Sequence, residues 1–500
     1  MYKREKKNPK SIVWIIVKII IFIVSLGASF LVTKSLFNLD IIPNKYMYIF
    51  IGIIGVINLL IGLLLYSKKL VANIFSILMS IIIVVVSVLG ITHTGKISNY
   101  LDKSFNNIEY EVTKYSVVVL KDSSYNKLED LEKKSIGFVS LDYKSNEYES
   151  LLKDKVLLNY KAYDNSYVMY DDLSTSKIES MIINDIYLEF LEDEDNKVDK
   201  KIRVIYTFEI NEEVNITHEE ETKESKPINI LISGSDSRVT NRIQSKTRSD
   251  VNMIATVNPD THEILLTSIP RDMYVQLHGT SGNKDKLTHS GIYGINMTKS
   301  TIEDFLHIKI DYVVKVGFGT VINVVDTIGG IDINSDQDVY THCGDGGARR
   351  TQVKKGMNHF DGASALSYAR ERKGYATGDN HRVQNQQQVL EAIFTKVITD
   401  KSLLMNYESV LNSLSSLYVT DIPSSIIKSM VKQQLNDMKS WKISKQQVSG
   451  EGKMGVETYS MPGWKLWVMF GYPDSINKNS KNINDMISGK SLNELDLKAA

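Results

Sequence analysis

The densest chemistry in this 500-residue sequence lies between Ala363 and Gln388, where Ala365-Leu-Ser-Tyr-Ala-Arg-Glu-Arg372 is followed by Asp379-Asn-His-Arg-Val-Gln-Asn-Gln386. Read as an extended segment, Arg370 and Arg372 stand two apart, which puts both guanidinium groups on one face. Asp379 precedes an apolar set at Val389, Leu390, Ile393, Phe394 and Val397, so it is expected to cap a helix. Arg382 and Gln386, four apart, share one face of that helix near its positive end. Three arginines meeting at a helix N-terminus suit a multiply charged phosphate, because each guanidinium offers a fixed fork of donors to phosphate oxygens. Each signal has a plainer counterpart. Arg370 and Arg372 could instead pair with Glu371 and surface acids, and Asp379 could be a cap alone.

These residues need a scaffold, and the sequence upstream supplies one. Ile228–Ser233 reads as an apolar strand running into Gly234-Ser-Asp-Ser-Arg238, a turn in which Asp236 has either a structural or a ligand role. Val251–Val257 and Glu263–Ile269 read as two further strands joined at Asn258-Pro-Asp260, the second ending in Pro270-Arg271-Asp272. Charged residues thus gather at strand ends, where α/β sheets place their ligands. Gly329-Gly330 marks a tight turn, and Gly344–Gly347 a flexible surface loop. No GxxxxGK[ST] follows the first strand, there is no GxSxG, and His262, His278, His289 and His307 lack the spacing of an HExxH metal pair.

Before Ile228 the chain changes character twice. Residues 1–97 carry 11 Lys+Arg against 2 Asp+Glu, residues 98–224 carry 16 against 29, and residues 225–500 carry 32 against 28. A net charge of zero with no long basic stripe argues against nucleic acid as a partner. A single cysteine, Cys343, excludes an intrachain disulfide and a cysteine-built metal site. Ile12–Val32, Tyr46–Tyr66 and Leu70–Ile91 are apolar runs long enough to cross a bilayer as helices. Lys3, Arg4, Lys6, Lys7 and Lys10 precede the first, and Lys68-Lys69 joins the second to the third. Positive flanks stay in the cytoplasm, so a cytoplasmic N-terminus and an external chain after about His93 are expected.

Between the anchor and Ile228, Ser116–Leu120 and Ser135–Ser140 read as strands, Tyr125–Lys133 as a helix and Ile202–Ile210 as a strand. That alternation implies a small α/β domain with an open sheet. The acidic run Glu192–Asp195 reads as a solvated turn, and Asn211–Lys226, closed by Pro227, as a linker. The organisation expected is a basic N-terminus (1–11), three spans (12–92), an acidic α/β domain (106–215), a larger α/β domain (228–475) and a polar tail (476–500).

Six blocks in order resemble the LytR-CpsA-Psr family of cell-envelope glycopolymer ligases. They are Asn229-Ile-Leu-Ile-Ser-Gly-Ser-Asp-Ser-Arg238, Arg248-Ser-Asp250, Ser268-Ile-Pro-Arg-Asp272, Val324-Val-Asp-Thr-Ile-Gly-Gly-Ile-Asp332, and the two segments around Arg370 and Arg382. The resemblance covers 228–400 strongly and extends more weakly to about 475. Three spans and an extra α/β domain look like the capsule-type branch. Asn380-His381 replaces what is often Phe-Gly in the family, and Val239–Thr247 lies where the family varies.

The resemblance implies an α/β domain with a central mixed sheet. It also implies transfer of a capsular polysaccharide or teichoic acid from an undecaprenyl-pyrophosphate carrier to a peptidoglycan hydroxyl through a phosphodiester. Carried over residue by residue, Asp236 and Asp250 would hold Mg²⁺, or Mn²⁺ in its place. Arg248, Arg271, Arg370, Arg372, Arg382 and Gln386 would surround the pyrophosphate, with Asp379 as base or arginine-orienting group. Phosphoryl transfer asks mainly for positioning and charge neutralisation, which such residues provide. Two other classes stay open on sequence: a non-catalytic envelope regulator or binding module, and a lipid-pyrophosphate hydrolase.

Overall fold

The computed structural model describes residues 9–105, 109–139, 150–164, 166–185, 187–188, 191, 198–214, 226–235, 246–342, 344, 347–376, 378–400, 402–403 and 418–497. The acidic run at 192–195, Asp236, Arg238 and Cys343 lie outside the described residues, as does the side chain of Asp379. The chain divides into two compact units. One runs to Asn107 and takes in Ile422–Ser440, and the other holds both α/β bodies.

In the first unit, α1 (Pro9–Leu39), α2 (Asn44–Tyr66) and α3 (Leu70–Phe105) correspond to the three apolar runs. Each contains a stretch long enough to span a membrane: Val13–Leu39, Asn44–Tyr66 and Leu70–Lys96. Most of their large apolar side chains face outward, as a lipid environment requires, while Ile61, Leu65 and Ile83 pack inside. Buried polar groups join α1 to α2: Ser25 Oγ donates to Asn58 Oδ1 at 2.9 Å, and Asn58 Nδ2 donates to Ser29 Oγ at 2.8 Å. Such bonds hold helices together where no hydrophobic effect separates one helix from another. Lys18, the only charge inside the first run, donates from Nζ to the carbonyl of Leu65 at 2.8 Å. It thereby sits at the negative end of α2, beside Lys68-Lys69. The third helix continues to Phe105, beyond the expected span end near Ile91. Helix Ser424–Asp437 belongs to this unit, with Lys432 Nζ paired to Asp40 Oδ1 at 2.7 Å.

In the second unit, the smaller body is a five-stranded sheet. Its strands are β1 (Glu109–Leu120), β2 (Ser135–Val139), β3 (Asn159–Tyr163), β4 (Ser180–Asn184) and β5 (Ile202–Val214), in the order β3-β2-β4-β1-β5. Helix α4 (Ser166–Ser174) packs Met169, Tyr170 and Leu173 against it. The helix expected over Tyr125–Lys133 is instead a single 3₁₀ turn, Leu128–Leu131. Asp130 Oδ2 accepts from the Asn126 amide at 2.8 Å and Lys133 turns to φ 58°, so the chain reaches β2 without room for a longer helix. Residues 211–214, expected as linker, extend β5 and pair with Glu109–Val112.

The larger body is built on β6 (Ile228–Ser235), β7 (Val251–Asn258) and β8 (Glu263–Ser268), nearly every residue of which is buried. A strand covered on both faces reads as a continuous apolar run, which is why these three were visible in the sequence. Then come α5 (Ile295–Leu306), β9 (Tyr312–Gly317), α6 (Phe318–Thr327), α7 (Gly362–Arg370), α8 (Asp379–Thr399), β10 (Tyr418–Thr420) and β11 (Lys442–Gln447). The sheet order is β10-β9-β6-β7-β8-β11, with β9/β6 and β11/β8 parallel and the other pairs antiparallel, hence mixed.

The expected polar tail is a correction. Helix α9 (Pro473–Ile487) buries Ile483 and Met486 in the core with Leu231, Ile254 and Leu265. Its Asn482 Nδ2 donates to Gln446 Oε1 of β11 at 2.8 Å. Apolar residues in register on one face, with buried amides bonded to the edge strand, let a polar sequence complete the core. The two bodies share an apolar seam: Trp464 packs among the α4 side chains, edge-on to Tyr167 with ring centroids 5.0 Å apart.

Candidate phosphate-binding site

The site starts from how β6, β7 and β8 end. The ladder between β6 and β7 closes at Gly234 and Val251, and the Asp250 amide donates to the Gly234 carbonyl at 2.8 Å. Ser249 Oγ, 2.7 Å from Ser233 Oγ, also donates to Asn252 Oδ1 at 2.7 Å. This buried network fixes the approach to β7 and so the position of Asp250. Across the β7–β8 pair, the Ile269 amide donates to the Asn252 carbonyl at 2.9 Å, which brings Arg271 beside Asp250. Arg271 Nη1 donates to Asp250 Oδ1 at 2.7 Å.

A third segment closes around this pair. Thr288 Oγ1 donates to the same Asp250 oxygen at 3.3 Å, its amide to the Arg271 carbonyl at 2.8 Å, and its own carbonyl accepts from Ser249 at 2.9 Å. Gly291 is required here, since a Cβ would stand 2.3 Å from the Thr247 carbonyl oxygen. Beyond Arg271, Asp272 lies 3.5 Å from its Nε and 3.2 Å from Lys286 Nζ.

Asp250 is only 9% exposed. Burial pushes its carboxyl upward, but Arg271, Arg248 and Arg382 outweigh that and hold it at about 2. Arg271 bonds this carboxylate directly, and the charges of Arg248 and Arg382 lower it further. Arg382 itself is buried, one turn into α8, and Gln386 is half-buried a turn further on. Helix α8 is fixed to the preceding segment by Asn385 Nδ2, which donates to the Tyr368 carbonyl at 3.0 Å, and by Tyr368 Oη, which donates to Gln388 Oε1 at 2.7 Å. His381 stacks on Tyr375 at 3.6 Å between centroids.

Two expectations are corrected. Arg370 and Arg372 do not share an extended strand: Arg370 is the last residue of α7, and Glu371, extended, is its C-cap. The reason is local. Asp361 caps α7, accepting from the Ser364 amide at 3.0 Å, and Gly362 lets the helix start against α6, where a Cβ would meet the Ile322 carbonyl oxygen at 2.3 Å. In the turn that follows, the Arg372 carbonyl accepts from the Tyr375 amide at 3.3 Å. In the second correction, Gly378 occupies the N-cap of α8 and Asp379 is its first helical residue.

Of the two aspartates expected to bind a cation, Asp250 is among the described residues. Asp236 lies outside the described residues, directly after the last residue of β6. Among the described residues no three His, Cys, Asp or Glu side chains form a metal-binding group. Sequence reading missed Thr288, the Asp272–Lys286 pair, the buried Asp285–His289 pair at 2.5 Å, and the contact of Glu371 with His342. Of these, only the i,i+4 spacing of Asp285 and His289 carried a signal.

The LytR_cpsA_psr family model matches residues 190–469. The polyisoprenyl-teichoic acid–peptidoglycan teichoic acid transferase TagU of Bacillus mycoides (strain KBAB4) is 31% identical over 242 residues, 48% of this chain and 75% of that protein. The protein of the same name from Enterococcus faecalis (strain ATCC 700802 / V583) is 31% identical over 230 residues, 46% of this chain and 72% of its own length. The crystal structure of B. subtilis TagV superposes with a TM-score of 0.45 at 27% identity, over 54% of this chain and 100% of that one. With a match running through more than half of its length, from 190 to 469, the chain belongs to the LytR_cpsA_psr family.

Proposed function

We propose that this protein transfers a glycopolymer, a teichoic acid or capsular polysaccharide, from an undecaprenyl-pyrophosphate carrier to a peptidoglycan hydroxyl, forming a phosphodiester. The carrying observation is the arginine set at the strand ends: Arg271 Nη1 donates to the buried carboxylate of Asp250, on which the charges of Arg248 and Arg382 also act. Guanidinium groups held in place at a buried site offer fixed forks of charged donors, which suit the several oxygens of a pyrophosphate. The names of the relatives, teichoic acid transferases, support the same reading.

In this reading Arg271, fixed by Asp250, and Arg382, fixed by the packing of α8, take up charge on the bridging and lipid-side oxygens as the phosphorus is attacked. Gln386 adds an amide donor on the same face of α8. Arg370 and Arg372 hold the outer phosphate oxygens, and Asp379, at the positive end of α8, orients the arginine fork. The donor set suits Mg²⁺ at Asp250 and Asp236: Asp250 is ionised, and its described contacts fall on Oδ1, so a cation would be held through Oδ2. When bound, the cation would add Lewis-acid neutralisation of phosphate oxygen.

The test uses the full-length protein in proteoliposomes with a labelled lipid-pyrophosphate-linked glycan, with and without peptidoglycan fragments. Label on the peptidoglycan is expected. Release of free glycan phosphate irrespective of acceptor would make the protein a hydrolase, and binding without turnover a recognition module.

The basic flanks and the position of Lys18 support a cytoplasmic N-terminus and external α/β bodies, where such a donor lies. Protease added to intact protoplasts should then remove residues 228–400, and their protection would overturn this topology.

A further inference from the structure

Glu371 separates Arg370 from Arg372 in sequence, yet it is only 1% exposed. Its carboxylate accepts from the amides of Gly374, at 2.8 Å, and of His342, and from His342 Nδ1 at 3.1 Å. His342 arrives from a distant part of the chain, on the segment after strand Val339–Tyr340. It is held there twice, since the neighbouring Thr341 Oγ1 accepts from Ser367 Oγ of α7 at 2.7 Å. The imidazole is 51% exposed, against a buried carboxylate behind it, with the Tyr340 ring edge-on at 6.2 Å. A Glu371 carboxylate that accepts two backbone donors is acceptor-only. Nδ1 of a neutral His342 must therefore carry the proton, leaving the lone pair on Nε2. A buried carboxylate fixing the tautomer of an open imidazole is the arrangement of a general base.

We infer that His342 is the general base of the transfer, oriented by Glu371 between the two arginines of the α7 end. The inference rests on the phosphotransfer reading above. The acceptor O–H bond breaks and its proton goes to Nε2, while the oxygen forms a bond to the glycan-side phosphorus. The bond from that phosphorus to the bridging oxygen breaks, and its electron pair leaves with the lipid phosphate. The proton on His342 then passes to that phosphate or to solvent. Glu371 is a positioning residue: it holds the ring and, at the same time, the turn that carries Arg370 and Arg372.

The experiment measures transfer by the full-length protein in proteoliposomes, with the labelled lipid-pyrophosphate donor and peptidoglycan fragments, for wild type, His342→Ala and Glu371→Gln. Expected is a loss of about 100-fold or more in kcat for His342→Ala, with KM for the donor and the melting temperature near wild type. Added imidazole should restore part of that rate, which a merely structural role would not allow. Glu371→Gln should lose less, because an amide oxygen still accepts from Nδ1. Near-normal transfer by His342→Ala, or a loss that imidazole leaves unchanged, would overturn the inference and move the proton to another group such as Asp379. Absence of transfer by wild type would instead overturn the functional reading, and this inference with it.

Discussion

In the smaller α/β body, Asp172 accepts from Lys161 Nζ at 2.9 Å, Lys177 Nζ at 3.0 Å and Tyr163 Oη at 2.8 Å. In the larger body, Asp250 accepts from Arg271 at 2.7 Å and lies in the field of Arg248 and Arg382. Both carboxylates are held well below the ordinary range, Asp172 chiefly by its lysine hydrogen bonds and Asp250 by arginine charge acting against burial. The surroundings differ. Lys161 and Lys177 are 50% and 60% exposed, so water and counterions complete their solvation. Around Asp250, Arg382 is buried and Arg271 largely so, and solvent screens their charge much less. The proposed phosphate site thus differs from the exposed lysine cluster in how far its cations are withdrawn from water.

The largest effect that would sharpen this contrast is on transfer. Arg271→Lys and Arg370→Lys keep the charge and remove the fork, and a preorganised donor to developing phosphate charge is worth about 2.7 to 4 kcal/mol, or about 100- to 1,000-fold. Transfer rates should fall by that order with circular dichroism unchanged. Normal rates would leave these arginines structural. Next is the seam between the bodies. Trp464→Ala removes the ring that packs on Tyr167 and should cost roughly 3 kcal/mol in denaturant unfolding, with the transfer rate per folded molecule kept. A variant with unchanged stability would mean that the two bodies do not support each other.

A smaller effect concerns acid. Burial raises the Asp285 carboxyl, but His289 and the hydrogen bonds of Ser460 outweigh it, so its folded value lies below the usual one. A depressed value means stability fully present above the unfolded value of about 3.9 and lost as pH falls through the lower folded one. Asp285→Asn should therefore flatten the loss of stability in urea unfolding between neutral pH and pH about 3. An unchanged acid slope would assign the effect to other carboxylates. The smallest effect expected is none: Lys161→Ala and Lys177→Ala, at exposed cations, should leave both transfer and the melting temperature near wild type. A fall in transfer there would break the distinction between the two carboxylates and give the smaller body a part in the reaction.

Composition alone determined the three spans, because a bilayer demands about 20 apolar residues whatever the fold around them. Continuous apolar runs likewise determined β6, β7 and β8, since burial on both faces leaves no alternation to misread. The arginines of the site were legible as residue types, and their family as an order of motifs. What sequence could not decide was which of them share a carboxylate. Arg271 meets Asp250 through the antiparallel register of β7 and β8, and Arg382 acts on it only because Asn385 and Gln388 hold α8 against Tyr368. Residues 476–500 read as a tail because few of them are apolar, yet Ile483 and Met486 are enough for α9 once Asn482 can bond to β11. Glu371 read as a partner of its neighbouring arginines, and the fold turned it inward to His342. Periodicity records which face of an element is buried, because burial is a property of each residue against solvent. It does not record the partner, because a long-range hydrogen bond or ion pair depends on register and packing set by the rest of the chain.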